Sequence, residues 1–182
     1  YKVAKHGNYG VSSVCGSSNV LEHLGYTFSN DEEQLKHQLD EANFCMMHAP
    51  LFHPAMKHVA PIRRELGVKT FFNMLGPLVN PSKPSHQLVG VFNLELARIY
   101  NYLFQSERKQ FAIVHSLDGY DEVSLTGDFK LYTTKGEELA GADSFGLQML
   151  QQREIYGGST IEQAAKLFTN VLEGSGDKAQ EN

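Results

Sequence analysis

The stretch that most restricts the fold is a strand–helix–strand unit in the middle of the chain. Gln87 to Phe92 is a short apolar run, Asn93 is a favourable helix N-cap, and Phe111 to Val114 is a continuous apolar run. The residues between them place Leu96, Ile99, Tyr100 and Leu103 on one helical face. Strands joined through a helix pair in parallel, with a right-handed crossover. The sequence therefore predicts an α/β fold with a mainly parallel central sheet flanked by helices.

Periodicity and turn residues predict the remaining elements around this unit. The predicted strands are Tyr1–Lys5 and Phe44–Met47, and a hairpin is expected over Val123–Thr134 with its turn at Gly127-Asp128. The first predicted helix is capped by Ser17 or Ser18 and ends near Leu24. Three more helices are predicted, over Asn30–Ala42, over His53–Leu66 with a kink at Pro61, and over Thr160–Leu172.

Composition places the chain among ordinary globular domains. Its 182 residues are 41% hydrophobic and 20% charged, which suits one domain with a buried core. The net charge of −5 argues against a general nucleic-acid-binding protein, because a phosphate backbone requires a basic surface. It leaves room for a local phosphate pocket, since one loop and a lysine can outweigh a mildly acidic surface nearby.

The cysteines and the chain start bear on the cellular setting. Cys15 and Cys45 form no CxxC pair, so we expect reduced, buried thiols rather than a disulfide or metal site. No stretch approaches the length of a membrane span and no signal peptide opens the chain, so we expect a cytoplasmic protein without a membrane partner. The chain begins at Tyr1 inside a predicted strand, without an initiator methionine. We therefore expect upstream sequence to be missing.

A polar segment rich in glycine and serine follows the first predicted strand. It begins with Lys5-His6-Gly7-Asn8-Tyr9-Gly10, here called the KHGN segment, and continues to Ser18, where a helix is expected to begin. Glycine lets a backbone approach an anion closely, and free N–H groups at a helix start favour one. Lysine and serine can add direct phosphate contacts. An ordinary glycine- and serine-rich turn has the same composition, so both interpretations stand at this point.

A basic segment with two histidines runs from His53 to Arg64. Arginine holds a carboxylate through two parallel hydrogen bonds, so the adjacent Arg63 and Arg64 make a carboxylate site possible. A solvated basic face is the alternative, and for Lys57 it is the better one. His53 and His58 lie five residues apart with no suitable third ligand, so a metal site here is poorly supported.

Two further segments combine turn residues with possible ligand groups. Gly76-Pro77 interrupts an apolar run that starts at Phe71, which forces a turn or a structural hinge. Asp118-Gly119-Tyr120-Asp121-Glu122, here called the acidic turn, directly follows the apolar strand that ends at Val114. Ligands of parallel sheets bind beyond the carboxyl ends of strands, and paired carboxylates suit Mg²⁺. Acidic turns are also common on surfaces that bind nothing.

The order of these four segments resembles that of the anthranilate phosphoribosyltransferases, over nearly the whole chain. The resemblance implies a domain like those of nucleoside phosphorylases and phosphoribosyltransferases. It implies transfer of the phosphoribosyl group of phosphoribosyl pyrophosphate (PRPP) to anthranilate in tryptophan biosynthesis, with Mg²⁺ and without an acid–base residue. It also implies a homodimer, and a helical domain and a GTGGD-type loop upstream of Tyr1, with residues 49–68 leaning toward that domain. The family's C-terminal end would also be missing.

The resemblance assigns residues to each substrate. The positions implied to bind PRPP are Lys5, His6, Gly7, Asn8, Gly10, Ser12, Ser13 and Ser17. Those implied to bind anthranilate are Asn8, His53, Arg63, Gly76 and Pro77, and those implied to bind the metal are Asp121 and Glu122. On an ideal helix Arg64 lies nearer the His53 face than Arg63, but Pro61 breaks the register and the family position favours Arg63.

Three positions depart from the family pattern, and two other functions fit the same fold. Tyr9, Val14 and Cys15 stand where the family often has arginine, lysine and serine, which affects the phosphate contacts expected of this segment. A paralogue with another acceptor, or one that binds nucleic acid without catalysis, is the alternative within the fold. A structural or interaction domain is the alternative from another class, and the phosphate-type segment argues against it.

Overall fold

The computed structural model describes residues 1–10, 15–56, 58–59, 65, 71, 74–107 and 109–176. Their strands are β1 (Val3–Gly7), β2 (Phe44–His48), β3 (His86–Gly90), β4 (Gln110–Ser116), β5 (Phe129–Thr133) and β6 (Gly136–Ala140). Their α-helices are α1 (Ser17–His23), α2 (Glu32–Ala42), α3 (Ala49–Phe52), α4 (Leu94–Gln105) and α5 (Ile161–Leu172). Short 3-10 helices cover Gly76–Val79 and Ala142–Phe145.

The chain divides into two compact units. Unit 1 consists of Tyr1–Lys83 with Gly157–Glu173, and unit 2 consists of Pro84–Tyr156 with Gly174–Asn182. Unit 1 contains a two-stranded parallel sheet, β1 with β2, in which Gly7 is opposite His48. Unit 2 contains a four-stranded sheet in the order β3-β4-β5-β6.

Unit 1 is built around the buried side of β2. Asp31 caps α2 by accepting a hydrogen bond from the N–H of Gln34 at 2.8 Å, and Asn43 ends the helix with a left-handed φ of 54°. The turn at Asn43 leads directly into β2, whose Cys45 and Met47 pack with Leu35 of α2. This packing fixes the carboxyl ends of β1 and β2 side by side.

Unit 2 confirms the strand–helix–strand prediction. β3 and β4 pair in parallel with Gly90 opposite Val114, and Asn93 caps α4 by accepting from the N–H of Leu96 at 2.8 Å. The buried face of α4 is Leu96, Ala97, Tyr100 and Phe104. Leu96 and Tyr100 are as predicted, whereas Ile99 and Leu103 are exposed. The reason is that the helix packs through a stripe with a four-residue repeat.

The antiparallel hairpin is present but was placed too early. It consists of β5 and β6, which pair from Thr133 and Gly136 at the turn to Phe129 and Ala140, instead of turning at Gly127-Asp128. The predicted first strand, residues 123–128, forms hydrogen bonds with the acidic turn instead. The α/β class is confirmed, and of the four strand pairs in the described residues two are parallel and two antiparallel.

Other element ends differ from prediction by a few residues. β1 runs from Val3 to Gly7 instead of from Tyr1 to Lys5, and the N-cap of α1 is Gly16 instead of a serine. Thr160, predicted as the first residue of the final helix, is instead its N-cap and accepts from the N–H of Gln163 at 3.2 Å. Of the predicted helix from His53 to Leu66, residues 57, 60–64 and 66 lie outside the described residues. In the described part of the chain, none of the helices is both long and apolar enough to cross a membrane.

Candidate functional site

Groups from three segments that are far apart in sequence meet in unit 1. The Nδ1 of His6, on β1, lies 3.1 Å from the carbonyl oxygen of Gly76. The Nε2 of His6 lies 3.1 Å from the Nε2 of His53, and the two rings are edge to face with centroids 5.1 Å apart. The structure therefore brings together one residue implied to bind PRPP and two implied to bind anthranilate.

The hydrogen bonds of this group fix the direction of each proton. A carbonyl oxygen can only accept, so the Nδ1 of His6 carries the hydrogen. In the neutral ring the Nε2 of His6 then accepts, and the Nε2 of His53 donates. Burial lowers the pKa of His6, the bond to Gly76 raises it and the neighbouring His53 lowers it again. The neutral ring is thus the favoured state of His6.

The KHGN segment continues from β1 into an exposed loop. Lys5 and Asn8 are exposed, and within the described ranges no carboxylate pairs with the Lys5 ammonium group. The Oδ1 of Asn8 accepts from the N–H of Tyr9 at 2.8 Å. A Cβ on Gly7 would lie 3.0 Å from the Cε of Met46, so the strand packs closely there. A free lysine and an exposed amide are the groups that an anionic ligand requires.

Asn19 joins the two ends of the serine-rich stretch. Its Oδ1 accepts from the N–H of Gly10 at 3.1 Å and from the N–H of Gly16 at 3.0 Å. A Cβ on Gly16 would lie 2.6 Å from the backbone nitrogen of Gly10, so glycine is required at that contact. Ser12 and Ser13 lie outside the described residues, and Ser17 is exposed at the start of α1. Sequence reasoning missed Asn19, although its position three residues after the helix cap was a usable signal.

The acidic turn leaves β4 in unit 2 and is held by Ser116. The hydroxyl of Ser116 is fully buried, donates to the carbonyl oxygen of Glu122 at 2.5 Å and accepts from the N–H of Ser124 at 3.0 Å. The N–H of Ser116 donates to the carbonyl of Tyr120 at 2.9 Å. This network fixes the backbone of the turn at the carboxyl end of β4, while the side chains of Asp121 and Glu122 are exposed.

The three carboxylates of the acidic turn differ in what they contact. The carboxylate of Asp118 accepts hydrogen bonds from Thr126 and from Ser124, so it stabilises the turn itself. Asp121 and Glu122 are the two that remain exposed. No cluster of three or more histidine, cysteine, aspartate or glutamate side chains occurs among the described residues. Two exposed carboxylates fit Mg²⁺ held partly by a phosphate ligand, since this ion often uses one or two protein carboxylates.

The remaining predicted positions are placed as follows. Gly76 and Pro77 open the 3-10 helix Gly76–Val79, which confirms the predicted turn. Arg63 lies outside the described residues, as do Arg64 and Lys57. Sequence reasoning also missed a group of aromatic contacts made by Tyr9 with Phe28 and His48, whose sequence separation gives no periodic signal.

Comparison with known proteins shows the family to which the chain belongs. A family model described as glycosyl transferase family, a/b domain, matches residues 1–182. Anthranilate phosphoribosyltransferase of Flavobacterium johnsoniae is 61% identical over 181 residues, which are 100% of this chain and 55% of the relative. The chain thus spans about half the length of the curated relatives it matches.

Solved structures of anthranilate phosphoribosyltransferases share the fold of this chain. Anthranilate phosphoribosyltransferase from Thermus thermophilus aligns with a TM-score of 0.89 and 35% identity, covering 98% of this chain and 54% of that one. The Saccharomyces cerevisiae enzyme in complex with PRPP and Mg aligns with a TM-score of 0.84 and 30% identity, covering 95% and 49%. Because the family model matches the chain from its first residue to its last, the chain belongs to the glycosyl transferase family through its a/b domain.

Proposed function

We propose that this chain is the catalytic-domain part of an anthranilate phosphoribosyltransferase. The full-length protein, meaning the protein at the length of its relatives, would transfer the phosphoribosyl group of PRPP to anthranilate and release pyrophosphate. The observation that carries this proposal is the contact of His6 with both His53 and Gly76, because it joins the segment assigned to PRPP to two residues assigned to anthranilate. The relatives that share the fold carry that name.

The donor substrate would bind along the KHGN segment and the stretch after it. The proposed contacts are Lys5, His6, Gly7, Asn8, Gly10, Ser12, Ser13 and Ser17. The Lys5 ammonium group is exposed, with no carboxylate partner in the described part of the chain, so it is available to an anion. Asn19 holds Gly10 against Gly16, which brings the two ends of the serine-rich stretch together. Small residues of this kind let backbone N–H groups approach a phosphate.

The acceptor would bind against Asn8, His53, Arg63, Gly76 and Pro77. Arg63 would hold the anthranilate carboxylate through a charge-assisted hydrogen bond. The ordered tautomers of His6 and His53 fix both rings, so the pocket wall is rigid before the acceptor arrives. Rigid positioning of this kind contributes to the rate by reducing the entropy lost on approach of the two substrates.

Asp121 and Glu122 would hold Mg²⁺ in the full-length protein. The ion, when bound, supplies positive charge to the pyrophosphate group that leaves. The fit rests on the donor chemistry and on the fixed backbone: the carbonyl of Asp121 lies so close to Gly90 that a Cβ there would be 1.6 Å from its oxygen. Oxygen ligands on a fixed turn are what this ion requires.

The proposed chemistry needs no acid–base residue. The bond from the ribose anomeric carbon to pyrophosphate breaks as the acceptor nitrogen approaches, so the ribose becomes cationic and the pyrophosphate gains negative charge. Lys5 and the backbone N–H groups of the loop would stabilise that negative charge. An aromatic amine is weakly basic and mostly unprotonated at neutral pH, so it attacks without prior loss of a proton, and the nitrogen releases one proton to water after the new bond to the ribose has formed.

Incubation of the full-length protein with anthranilate, PRPP and Mg²⁺ tests the proposal. We expect release of pyrophosphate together with loss of free anthranilate, abolished by a chelator and restored by Mg²⁺. Residues 1–182 alone should show negligible turnover, because they span only about half the length of the relatives that carry this name. A full-length protein without turnover would shift the proposal to a paralogue with another acceptor. We further propose that the enzyme is cytoplasmic and that it is a homodimer. Sedimentation of the full-length protein would test the dimer.

A further inference from the structure

The side chain of Tyr9 is attached to a part of unit 1 that the proposed substrate contacts do not include. Its hydroxyl donates to the Oε1 of Glu22 on α1 at 2.9 Å. Its ring meets the His48 ring edge to face, with centroids 4.7 Å apart, and the Phe28 ring at 6.3 Å. Tyr9 thus contacts three side chains, those of Glu22, Phe28 and His48, although it is an exposed loop residue. The contacts indicate that this loop residue is held in place.

The rings that receive Tyr9 form a fixed platform. Phe28 stacks on His48 with centroids 4.3 Å apart and an interplanar angle of 13°. His48 is 5% exposed and is the last residue of β2, opposite Gly7 of β1. Tyr26 packs against Phe28, and its hydroxyl accepts from the N–H of Met46 at 2.9 Å. The platform is therefore tied to the same strand pair that carries the KHGN segment.

Asn8 lies in the chain between His6 and Tyr9, whose side chains are both held by other parts of unit 1. On one side His6 is held by Gly76 and His53, and on the other Tyr9 is held by Glu22, Phe28 and His48. The Oδ1 of Asn8 accepts the N–H of Tyr9, so the two residues are also coupled directly. Within the described residues the NH₂ group of Asn8 has no partner, and it is free to donate to a ligand. Movement of Tyr9 would move this donor.

The hydrogen bond from the Tyr9 hydroxyl also restrains the negatively charged carboxylate of Glu22. Glu22 is exposed on α1 and its carboxylate is engaged by the tyrosine hydroxyl. A hydrogen bond to an ionised group is stronger than one between neutral groups. Without it the carboxylate would be free to rotate near a loop proposed to hold pyrophosphate, where like charges repel.

We propose that Tyr9 is a positioning residue for PRPP, which orients Asn8 and restrains the Glu22 carboxylate through its hydroxyl and its aromatic platform. The inference rests on the proposed function. It adds residues Tyr9, Glu22, Phe28 and His48 to a site whose direct contacts lie elsewhere in the loop. Tyr9 itself touches no substrate in this account.

Calorimetric titration of the full-length protein with PRPP and Mg²⁺, together with steady-state kinetics, tests the inference. Tyr9→Phe keeps the ring and removes the hydroxyl, and should raise both the Kd and the KM for PRPP about three- to tenfold with little change in kcat. Glu22→Ala removes the same bond and the negative charge with it, so it should raise the Kd and the KM for PRPP less than Tyr9→Phe does. Glu22→Gln keeps an oxygen that accepts from Tyr9 and should remain within about twofold of the unaltered protein.

The double variant Tyr9→Phe with Glu22→Ala should bind PRPP no more weakly than either single variant, because both remove the same bond. Tyr102→Phe, at a tyrosine 78% exposed on α4, is the matched control and should leave the Kd unchanged. Unchanged PRPP affinity in Tyr9→Phe, with the unaltered protein binding normally, would overturn this inference alone. No PRPP binding by the unaltered protein would overturn the proposed function and the inference with it.

Discussion

The backbone carbonyl of Asp121 lies directly over Gly90: a methyl group on residue 90 would be 1.6 Å from the carbonyl oxygen and 2.7 Å from its carbon. Gly90 is the last residue of β3, so the backbone of the acidic turn packs against the end of this strand. A backbone group cannot give way as a flexible side chain does. The turn and the strand end therefore depend on each other.

Gly90→Ala should displace the acidic turn and destabilise unit 2. We expect a loss on the order of 1–3 kcal/mol in the free energy of unfolding, the usual cost of forcing a methyl group into a filled space. Urea unfolding of the chain measures this loss. Gly157→Ala is the matched control, because a Cβ there meets nothing within 4 Å, and it should change stability by less than about 0.5 kcal/mol. Equal stability of the two variants would show that the turn adapts freely.

Lys5→Ala should weaken PRPP binding by the full-length protein about tenfold or more, since it removes a charge-assisted phosphate contact. Ser17→Ala should weaken it less, because a hydroxyl contact is neutral. The control is Lys2→Ala, which removes an exposed lysine that pairs with Asp40 at 2.5 Å. Fluorescence or calorimetric titration gives the affinities. Normal affinity in both test variants would reduce the KHGN segment to an ordinary turn.

Arg63→Ala should raise the KM for anthranilate, with a loss on the order of 2–3 kcal/mol of acceptor binding. PRPP binding should change little, because the lost contact belongs to the acceptor carboxylate. Arg64→Ala is the control in the adjacent position. A defect that appears in Arg64→Ala instead would mean that helical register, and not the family position, decides which arginine faces the pocket.

The stability of unit 1 should fall as the pH drops below about 6.5. Burial lowers the pKa of both His6 and His48 from the usual histidine value of 6.5, so the unfolded chain binds protons more readily than the folded chain. The stabilising contribution is complete above pH 6.5 and is lost as the pH falls through the lowered values. His48→Phe keeps a ring on Phe28 and removes one of the two groups, so thermal unfolding should depend less on pH between 8 and 5. An unchanged pH slope in this variant would contradict the account.

Local sequence was sufficient where one element is decided by its own residues. The Asn93 cap, the parallel pairing of β3 with β4 and the final helix all follow from short-range signals, and each is observed. The hairpin was misplaced because Gly127-Asp128 has the composition of a turn. Gly127-Asp128 do lie near a turn. Ser124 and Thr126, however, form hydrogen bonds with Ser116 and Asp118, so the residues before that turn do not form a strand.

The contacts inside the candidate site were not available from the sequence. His6 and His53 were assigned to different substrates, and only the folded chain shows their Nε2 atoms 3.1 Å apart. The role of Gly90 likewise depends on a backbone group from a distant turn. Spacing along one helix or strand predicts which side chains share a face, whereas contacts between elements are decided by packing.

The pairing of Gly7 with His48 has a consequence for how unit 1 acquires its structure. β1 and β2 are distant in sequence, so their pairing must close a long loop that contains α1 and α2, whereas β5 and β6 are joined through residues 134 and 135 alone. Long-range parallel pairing is slow and a hairpin is fast. Until β1 arrives, β2 presents Phe44, Cys45, Met46 and Met47 as an unpaired apolar edge. Nascent chains should therefore aggregate through this strand, and a chaperone that binds short apolar segments should recognise it first.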